Sequence, residues 1–155
     1  FALQADGVLA ARAPSFVEDL FDVQAEREVT GLRLQGAVEP ERSADADLWD
    51  ALVLGVRDYL GKNGFPGAII GLSGGIDSAL VLAIAVDALG PGRVRAVMMP
   101  SPYTADISWI DARDMAQRLG VQYDEISIVP EFEAFRASLA QEFKGLPEDA
   151  TEENI

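Results

Sequence analysis

A short apolar run that leads into a glycine-rich turn and then into a helical pattern is the feature that most constrains the fold. Residues 68–72 are apolar and follow a Pro/Gly turn, and their length favours a buried strand, as in a parallel sheet. The turn reads GLSGGIDS and occupies residues 71–78, here called the glycine loop. A helical pattern follows from about Ile76 to Leu89, before the breaker Gly90-Pro91-Gly92. This arrangement predicts a strand that crosses over through a helix.

The same alternation continues on both sides of this unit. Further strands are predicted at residues 94–99 and 122–128, and further helices at 43–60, 108–119 and 130–144. Ser43 and Ser108 are the expected N-caps of two of these helices. The order α-β-α-β-α-β-α predicts an α/β fold with a doubly wound parallel sheet. In such folds ligands bind beyond the carboxyl ends of the strands, which is where the glycine loop lies.

The buried face of the helix after the loop is predicted from its apolar spacing. That face comprises Ile76, Leu80, Ile84 and the Ala88/Leu89 pair. Before the first helix the patterns are weaker. Residues 1–24 suggest two short strands, at 7–11 and 15–23, and the polar residues 25–44 suggest a linker.

Composition excludes several kinds of chemistry. The chain has 12 Lys and Arg against 26 Asp and Glu, and the net charge of −14 disfavours general binding to nucleic acid. Cysteine and histidine are absent, so thiolate nucleophiles, cysteine-based zinc sites and histidine bases are excluded for this segment. No run of 18 apolar residues exists, so no membrane span is expected. The chemistry that remains available to this segment uses backbone dipoles, carboxylates and a hard cation such as Mg²⁺.

The glycine loop has the chemistry of an anion site that includes one negative charge. Its glycines permit close backbone approach, the following helix directs free amides at the loop, and Ser73 and Ser78 can add hydroxyl donors. Asp77 would repel a phosphate unless a cation lies between them, so a Mg²⁺-pyrophosphate group is the expected occupant. Neither a Walker A spacing nor GxGxxG is present. The alternative is an ordinary turn, in which Asp77 is favoured by the helix dipole by roughly 0.3–1 kcal/mol.

The string SGGIDS resembles the PP-loop of the N-type ATP pyrophosphatases, which cleave ATP between its α- and β-phosphates. Other segments are similar to NAD synthetases: KNGF at 62–65, MPS at 99–101 with Tyr103-Thr104, and TEENI at 151–155. Residues 1–24 resemble the end of the glutaminase domain that is fused ahead of the synthetase in the glutamine-dependent form. The resemblance implies that residues 45–155 are the first part of a synthetase domain with an adenine nucleotide alpha hydrolase-like, Rossmann-like fold. It further implies that residues 1–24 are the end of a nitrilase-like glutaminase domain and that 25–44 connect the two.

The resemblance also implies roles for particular residues. It makes Asp77 a Mg²⁺ ligand and Asn154 a contact of deamido-NAD. Met98 and Met99 either flank adenine or belong to the core. Ala105 departs from the family pattern, in which a small hydroxyl residue is expected. The residues implied to bind ATP are Gly71, Leu72, Ser73, Gly74, Gly75, Ile76, Asp77 and Ser78.

The implied activity is the ATP-dependent amidation of deamido-NAD to NAD, with ammonia derived from glutamine by the fused glutaminase domain. No catalytic acid or base is assigned within this chain, and the remaining metal and substrate ligands are expected beyond Ile155. We expect a cytoplasmic homo-oligomer that binds neither nucleic acid nor a membrane. Two alternatives stay open: another PP-loop amidotransferase similar to GMP synthetase, and an ATP-binding fragment that is inactive alone.

Overall fold

The amino-terminal part of the chain contains two small antiparallel sheets. The computed structural model describes residues 1–29, 31–142 and 144–145. Contacts divide the chain into two units, residues 1–54 and residues from 55 onward. In the first unit, β1 (Ala2–Leu3) pairs with β2 (Leu9–Ala11), and β3 (Gln24–Glu28) pairs with β4 (Gly31–Gln35).

Two predictions for this unit need correction. The strand predicted at residues 15–23 is wrong, because that segment forms bends and irregular backbone. The predicted linker at 25–44 is not irregular throughout, since it contains most of the β3–β4 hairpin. Every residue of β3 is exposed, so the strand shows no alternation of apolar and polar side chains and cannot be recognised by that pattern.

The first helix, α1, spans Ala44–Lys62. The backbone N–H of Ala46 donates to Ser43 Oγ at 3.2 Å, which confirms Ser43 as the capping side chain. Arg42 Nε donates to Asp47 Oδ1 at 2.9 Å and so ties the preceding residue to the first turn. The boundary between the two units falls within this helix, after Leu54.

The second unit is a parallel sheet connected through helices, as predicted. Its three described strands lie in the order β5-β6-β7 and all neighbours are parallel. The elements in chain order are β5 (Ala68–Gly71), α2 (Ile76–Leu89), a 3-10 helix (Pro91–Arg93), β6 (Val94–Met98), α3 (Asp106–Leu119), β7 (Gln122–Glu125) and α4 (Val129–Leu139). Each crossover between neighbouring strands contains a helix, which is the basis of the α/β class.

The core of this unit is formed where α2 and α3 meet the sheet. Leu72 and Leu82 are its largest fully buried side chains. The remaining buried members are small or linear side chains that allow the helices to approach the strands closely: Ala85, Val94, Ala96, Met98, Ala112 and Ala116. The core therefore fixes the helices that begin at the carboxyl edge of the sheet.

Several predicted bounds shift in the structure. α3 begins at Asp106 rather than Ser108, and its N-cap is Ala105 without a capping side chain. β7 ends at Glu125 rather than at residue 128. The predicted buried face of α2 is wrong in its first turns, because Ile76 and Leu80 are exposed. The buried residues of α2 are Leu82, Ile84, Ala85 and Ala88, and of these Leu82 and Ala85 belong to the core cluster with the strands.

Arg57 of α1 binds the carboxyl end of α2. Its Nε donates to the carbonyl oxygen of Ala88 at 3.1 Å, and Nη2 donates to that of Asp87 at 3.4 Å. The last turn of α2 contains no basic residue of its own. A cation at a helix carboxyl terminus stabilises its unpaired carbonyls.

We therefore expect Arg57→Ala to lower the free energy of unfolding by roughly 1–2 kcal/mol, since it removes two hydrogen bonds and a favourable charge. Urea denaturation measures the change. The matched control is Arg118→Ala, which removes only an exposed pair with Asp114 and should cost about 0.5 kcal/mol or less. Equal losses in the two variants would contradict a special role for Arg57.

Candidate functional site

The glycine loop lies at the carboxyl edge of the parallel sheet. The N–H of Leu72 donates to Val97 O at 2.8 Å, so the loop begins still attached to the middle strand. The loop joins β5 to α2, and α3 follows the middle strand at the same edge. Because the strands are parallel, the amino ends of both helices lie near this edge, which is the usual ligand position in doubly wound folds.

Gly74 is the tightest point of the loop. Its φ is +82°, a left-handed conformation that favours glycine. A Cβ placed there would lie 2.6 Å from Ser108 Cα and would also meet the Ser108 carbonyl oxygen. The loop therefore rests on the backbone of the first turn of α3. Nothing in the sequence indicates this contact, because only the fold brings Gly74 and Ser108 together.

The two serine hydroxyls form hydrogen bonds within the loop. Ser78 Oγ donates to Gly75 O at 2.9 Å and accepts the N–H of Ser73 at 3.1 Å. Ser73 Oγ lies 3.0 Å from Ser78 Oγ and accepts the N–H of Gly75 at 3.2 Å. Both side chains therefore join the two ends of the loop at its base.

The first turn of α2 supplies free backbone donors. Gly75 is its N-cap and provides no side-chain oxygen. Within the described residues, the N–H groups of Ile76, Asp77 and Ser78 have no acceptor, as expected for the first turn of a helix. With the positive end of the helix dipole, these amides can bind an anion.

The Asp77 carboxylate is exposed in the same turn. It forms no hydrogen bond or ion pair with any other residue that the structure describes. The described ranges contain no group of three or more acidic side chains suited to a metal ion. A single exposed carboxylate of this kind is the type of protein ligand that Mg²⁺ takes when phosphate and water supply its other oxygen ligands.

Two other carboxylates on β7 differ from Asp77 because each is paired with an arginine. The hydrogen bond from Arg95 lowers the pKa of Asp124. The Arg113 guanidinium donates through Nη2 to Glu125 Oε2 at 2.9 Å, and this bonding lowers the pKa of Glu125. These two charges are thus already neutralised by protein groups.

The other residues for which a role is predicted differ in burial, and one of them lies outside the described residues. Met98 is 2% exposed and belongs to the core, which favours the packing alternative for that residue. Met99 is 52% exposed, and its Cε lies 3.4 Å from where a Cβ on Gly71 would stand. Asn154 lies outside the described residues.

Among the helices in the described ranges, none has both the length and the apolar character needed to cross a membrane.

Comparisons with known proteins identify the family. The sequence profile of the family described as NAD synthase matches residues 48–155. The chain is 44% identical over its whole length to the glutamine-dependent NAD(+) synthetase of Acinetobacter baylyi and spans 28% of that protein's length. The fold is similar to that of the glutamine-dependent NAD+ synthetase from Acinetobacter baumannii, solved in complex with ADP. The TM-score there is 0.89 and the identity 47%, and the match covers 96% of this chain and 28% of the other.

A more distant structure has the same fold. The NH3-dependent NAD synthetase from Campylobacter jejuni, in complex with nitrate ion, matches with a TM-score of 0.62 and 24% identity. This match covers 73% of the present chain and 47% of that one. The family profile covers the sheet, the glycine loop and both helices that begin beside it. The chain belongs to the NAD synthase family.

Proposed function

We propose that the chain is the ATP-binding part of a glutamine-dependent NAD synthetase. The observation that carries this proposal is the free amides of the first turn of α2, in the same turn as the unpaired Asp77 carboxylate. The family membership and the high identity to glutamine-dependent relatives support it over a GMP synthetase-like enzyme. Because the chain spans 28% of such a relative, the complete activity is assigned to a longer protein.

In this proposal the loop binds the phosphates of ATP, and five of its eight residues have assigned roles. The amides of Ile76, Asp77 and Ser78 donate to the β- and γ-phosphates. Asp77 holds Mg²⁺, which supplies positive charge against the phosphate oxygens. Leu72 anchors the loop in the core, and Gly74 permits its close contact with α3.

The chemistry needs charge stabilisation more than proton transfer. The carboxylate of deamido-NAD attacks the α-phosphorus of ATP, an oxygen–phosphorus bond forms, and the bond to pyrophosphate breaks. The amides of the glycine loop stabilise the charge on the departing pyrophosphate. Ammonia then attacks the acyl carbon, AMP leaves, and the amide of NAD is formed with loss of a proton from nitrogen. A carboxylate nucleophile is already ionised, which agrees with the absence of histidine from the chain.

The domain assignment follows the same proposal. Residues 1–24 are assigned to the end of a glutaminase domain, 25–44 to the connection, and 45–155 to the start of the synthetase domain. The relatives are several times longer than this chain, which agrees with a fused enzyme that delivers ammonia internally. Asn154 is assigned to the deamido-NAD site.

Substrate specificity tests the proposal directly. In the protein extended to the length of its relatives, deamido-NAD should elicit Mg²⁺-dependent release of pyrophosphate from ATP, whereas XMP should not. Glutamine should then support formation of NAD. Release of pyrophosphate from ATP with XMP in place of deamido-NAD would contradict the proposal. The chain of 155 residues should bind Mg²⁺-ATP in calorimetry without releasing pyrophosphate, and failure to bind would contradict the assignment of the loop.

A further inference from the structure

We propose that a surface pocket beside Arg12 binds a free α-amino acid. The carboxylate of the amino acid pairs with Arg12, and its ammonium group lies against Glu39 and Glu41. The pocket belongs to the first unit of the chain and has a volume of about 450 Å³. Six of the residues that line it carry the argument: Arg12, Pro14, Glu39, Pro40, Glu41 and Arg42.

The backbone holds Arg12 in place at this pocket. Its N–H donates to the carbonyl oxygen of Ala37 at 3.0 Å, and its own carbonyl oxygen accepts the N–H of Glu39 at 3.1 Å. These two bonds form a parallel β-bridge between the two segments. Pro14 and Pro40 follow on these segments, and their fixed φ angles restrict the backbone there. The walls of the pocket are therefore ordered before a ligand arrives, which lowers the entropy lost on binding.

The two arginines of the pocket differ in their partners. Arg42 donates to the carboxylates of Asp47 and Asp50, so its charge is neutralised within the protein. Arg12 is partly buried, and its guanidinium forms no hydrogen bond or ion pair with any residue in the described ranges. A guanidinium presents a planar set of donors that matches a carboxylate at two points. Arg12 therefore has the free donors that a carboxylate needs.

Glu39 and Glu41 bring negative charge to the same pocket. Both residues are exposed, and neither is paired with a cation in the part of the chain that the structure describes. A simple anion would be repelled by these two carboxylates, and a simple cation would be repelled by Arg12. A zwitterion satisfies both signs in one molecule. The volume lies within the range of about 300–1,000 Å³ that is typical of small-molecule sites, and it accommodates an amino acid.

The position of the pocket gives such a ligand a consequence for the longer protein. Under the proposed domain assignment, Arg12 belongs to the end of the glutaminase domain, whereas Glu39 and Glu41 belong to the connection that precedes α1. An amino acid held by both ties the connection to the glutaminase domain. This consequence rests on the proposed function, but the binding site itself does not.

The first experiment measures the affinity of the 155-residue chain for three related probes by calorimetry. L-Glutamine should bind at one site. N-Acetyl-L-glutamine lacks the ammonium charge and L-glutaminamide lacks the carboxylate, so each should bind about tenfold more weakly, the loss expected for one charged pair. Equal affinity for L-glutamine and either analogue would overturn the proposal. It would also be overturned if L-glutamine showed no saturable binding at concentrations on the order of 10 mM.

The second experiment removes the guanidinium. Arg12→Gln should lower the affinity for L-glutamine about tenfold or more, because the bidentate partner of the carboxylate is lost. Arg33→Gln is the matched control, since it makes the same change of charge in the same unit and removes only an exposed ion pair with Glu28. The control should bind L-glutamine as the unchanged chain does. Unchanged affinity in Arg12→Gln, or an equal loss in the two variants, would overturn the proposal.

A third experiment removes the two carboxylates and separates recognition from a general loss of structure. Glu39→Gln/Glu41→Gln should bind L-glutamine about tenfold more weakly and N-acetyl-L-glutamine at least as tightly as before, because the repulsion of its carboxylate is removed. Weaker binding of both probes would count against the proposal. If Arg12→Gln fails to fold, this variant and the probe series still decide the question. ATP binding is measured separately, so its absence would contradict the proposed function and not this site.

Discussion

Replacing Gly74 with alanine should destabilise the protein by roughly 2–4 kcal/mol, because it combines a left-handed backbone with an overfilled contact. The new Cβ would lie 2.6 Å from Ser108 Cα, where backbone atoms of α3 cannot rotate aside. To relieve this steric overlap, the loop or the first turn of α3 must move. Either movement disturbs the amides proposed to bind phosphate, so affinity for ATP should fall as well.

Urea denaturation and calorimetry with ATP measure these two effects. Gly92→Ala is the matched control, because its backbone is not left-handed and no atom lies within 4 Å of the added Cβ. That variant should change stability by about 0.5 kcal/mol or less. A Gly74→Ala protein that keeps both its unfolding midpoint and its ATP affinity would contradict the close contact between the loop and α3.

Removing the Asp77 charge should have the largest effect on activity. In the protein extended to the length of its relatives, Asp77→Asn should lower deamido-NAD-dependent release of pyrophosphate by about 100-fold or more, because a metal ion contributes several kcal/mol to such a reaction. Glutamine hydrolysis should remain largely intact. The dependence of the residual rate on Mg²⁺ concentration identifies the cause, since a lost ligand shifts that dependence to higher concentration.

Asp58→Asn makes the same change of charge on α1. Its exposed pair with Lys62 is an i,i+4 surface pair, worth little in water. The rate and the Mg²⁺ dependence of this control should match those of the unchanged protein. Near-normal pyrophosphate release by the Asp77→Asn variant would contradict the assignment of Asp77 as a metal ligand.

The fold of the second unit could be predicted because its signals are local. A short apolar run, a glycine turn and a helix breaker set the bounds of β5 and α2, and α2 spans residues 76–89 as expected. Its buried face could be predicted only in part, with Ile84 and Ala88 buried as expected, because α2 is apolar on most sides. Apolar spacing then does not distinguish Ile76 and Leu80, which are exposed, from Leu82 and Ala85, which are buried.

The chemistry of the loop was predicted in part. The sequence indicates a glycine turn, a helix terminus and a carboxylate in the first helical turn, and all three are present. The contact between Gly74 and Ser108 could not be predicted, since the two residues are 34 positions apart in the sequence and only the fold brings them together. The contact between the two serine hydroxyls likewise depends on loop geometry that the residue types do not determine.

The close packing of Gly74 on the backbone of Ser108 has a consequence for enzyme engineering. Attempts to change the nucleotide preference by widening the loop would collide with α3, whatever side chains are chosen at the loop itself. Residues 73–78 and residues 105–108 should therefore be varied together in one library. Substitutions confined to one of these segments are expected to be selected mainly for restored folding rather than for a new ligand.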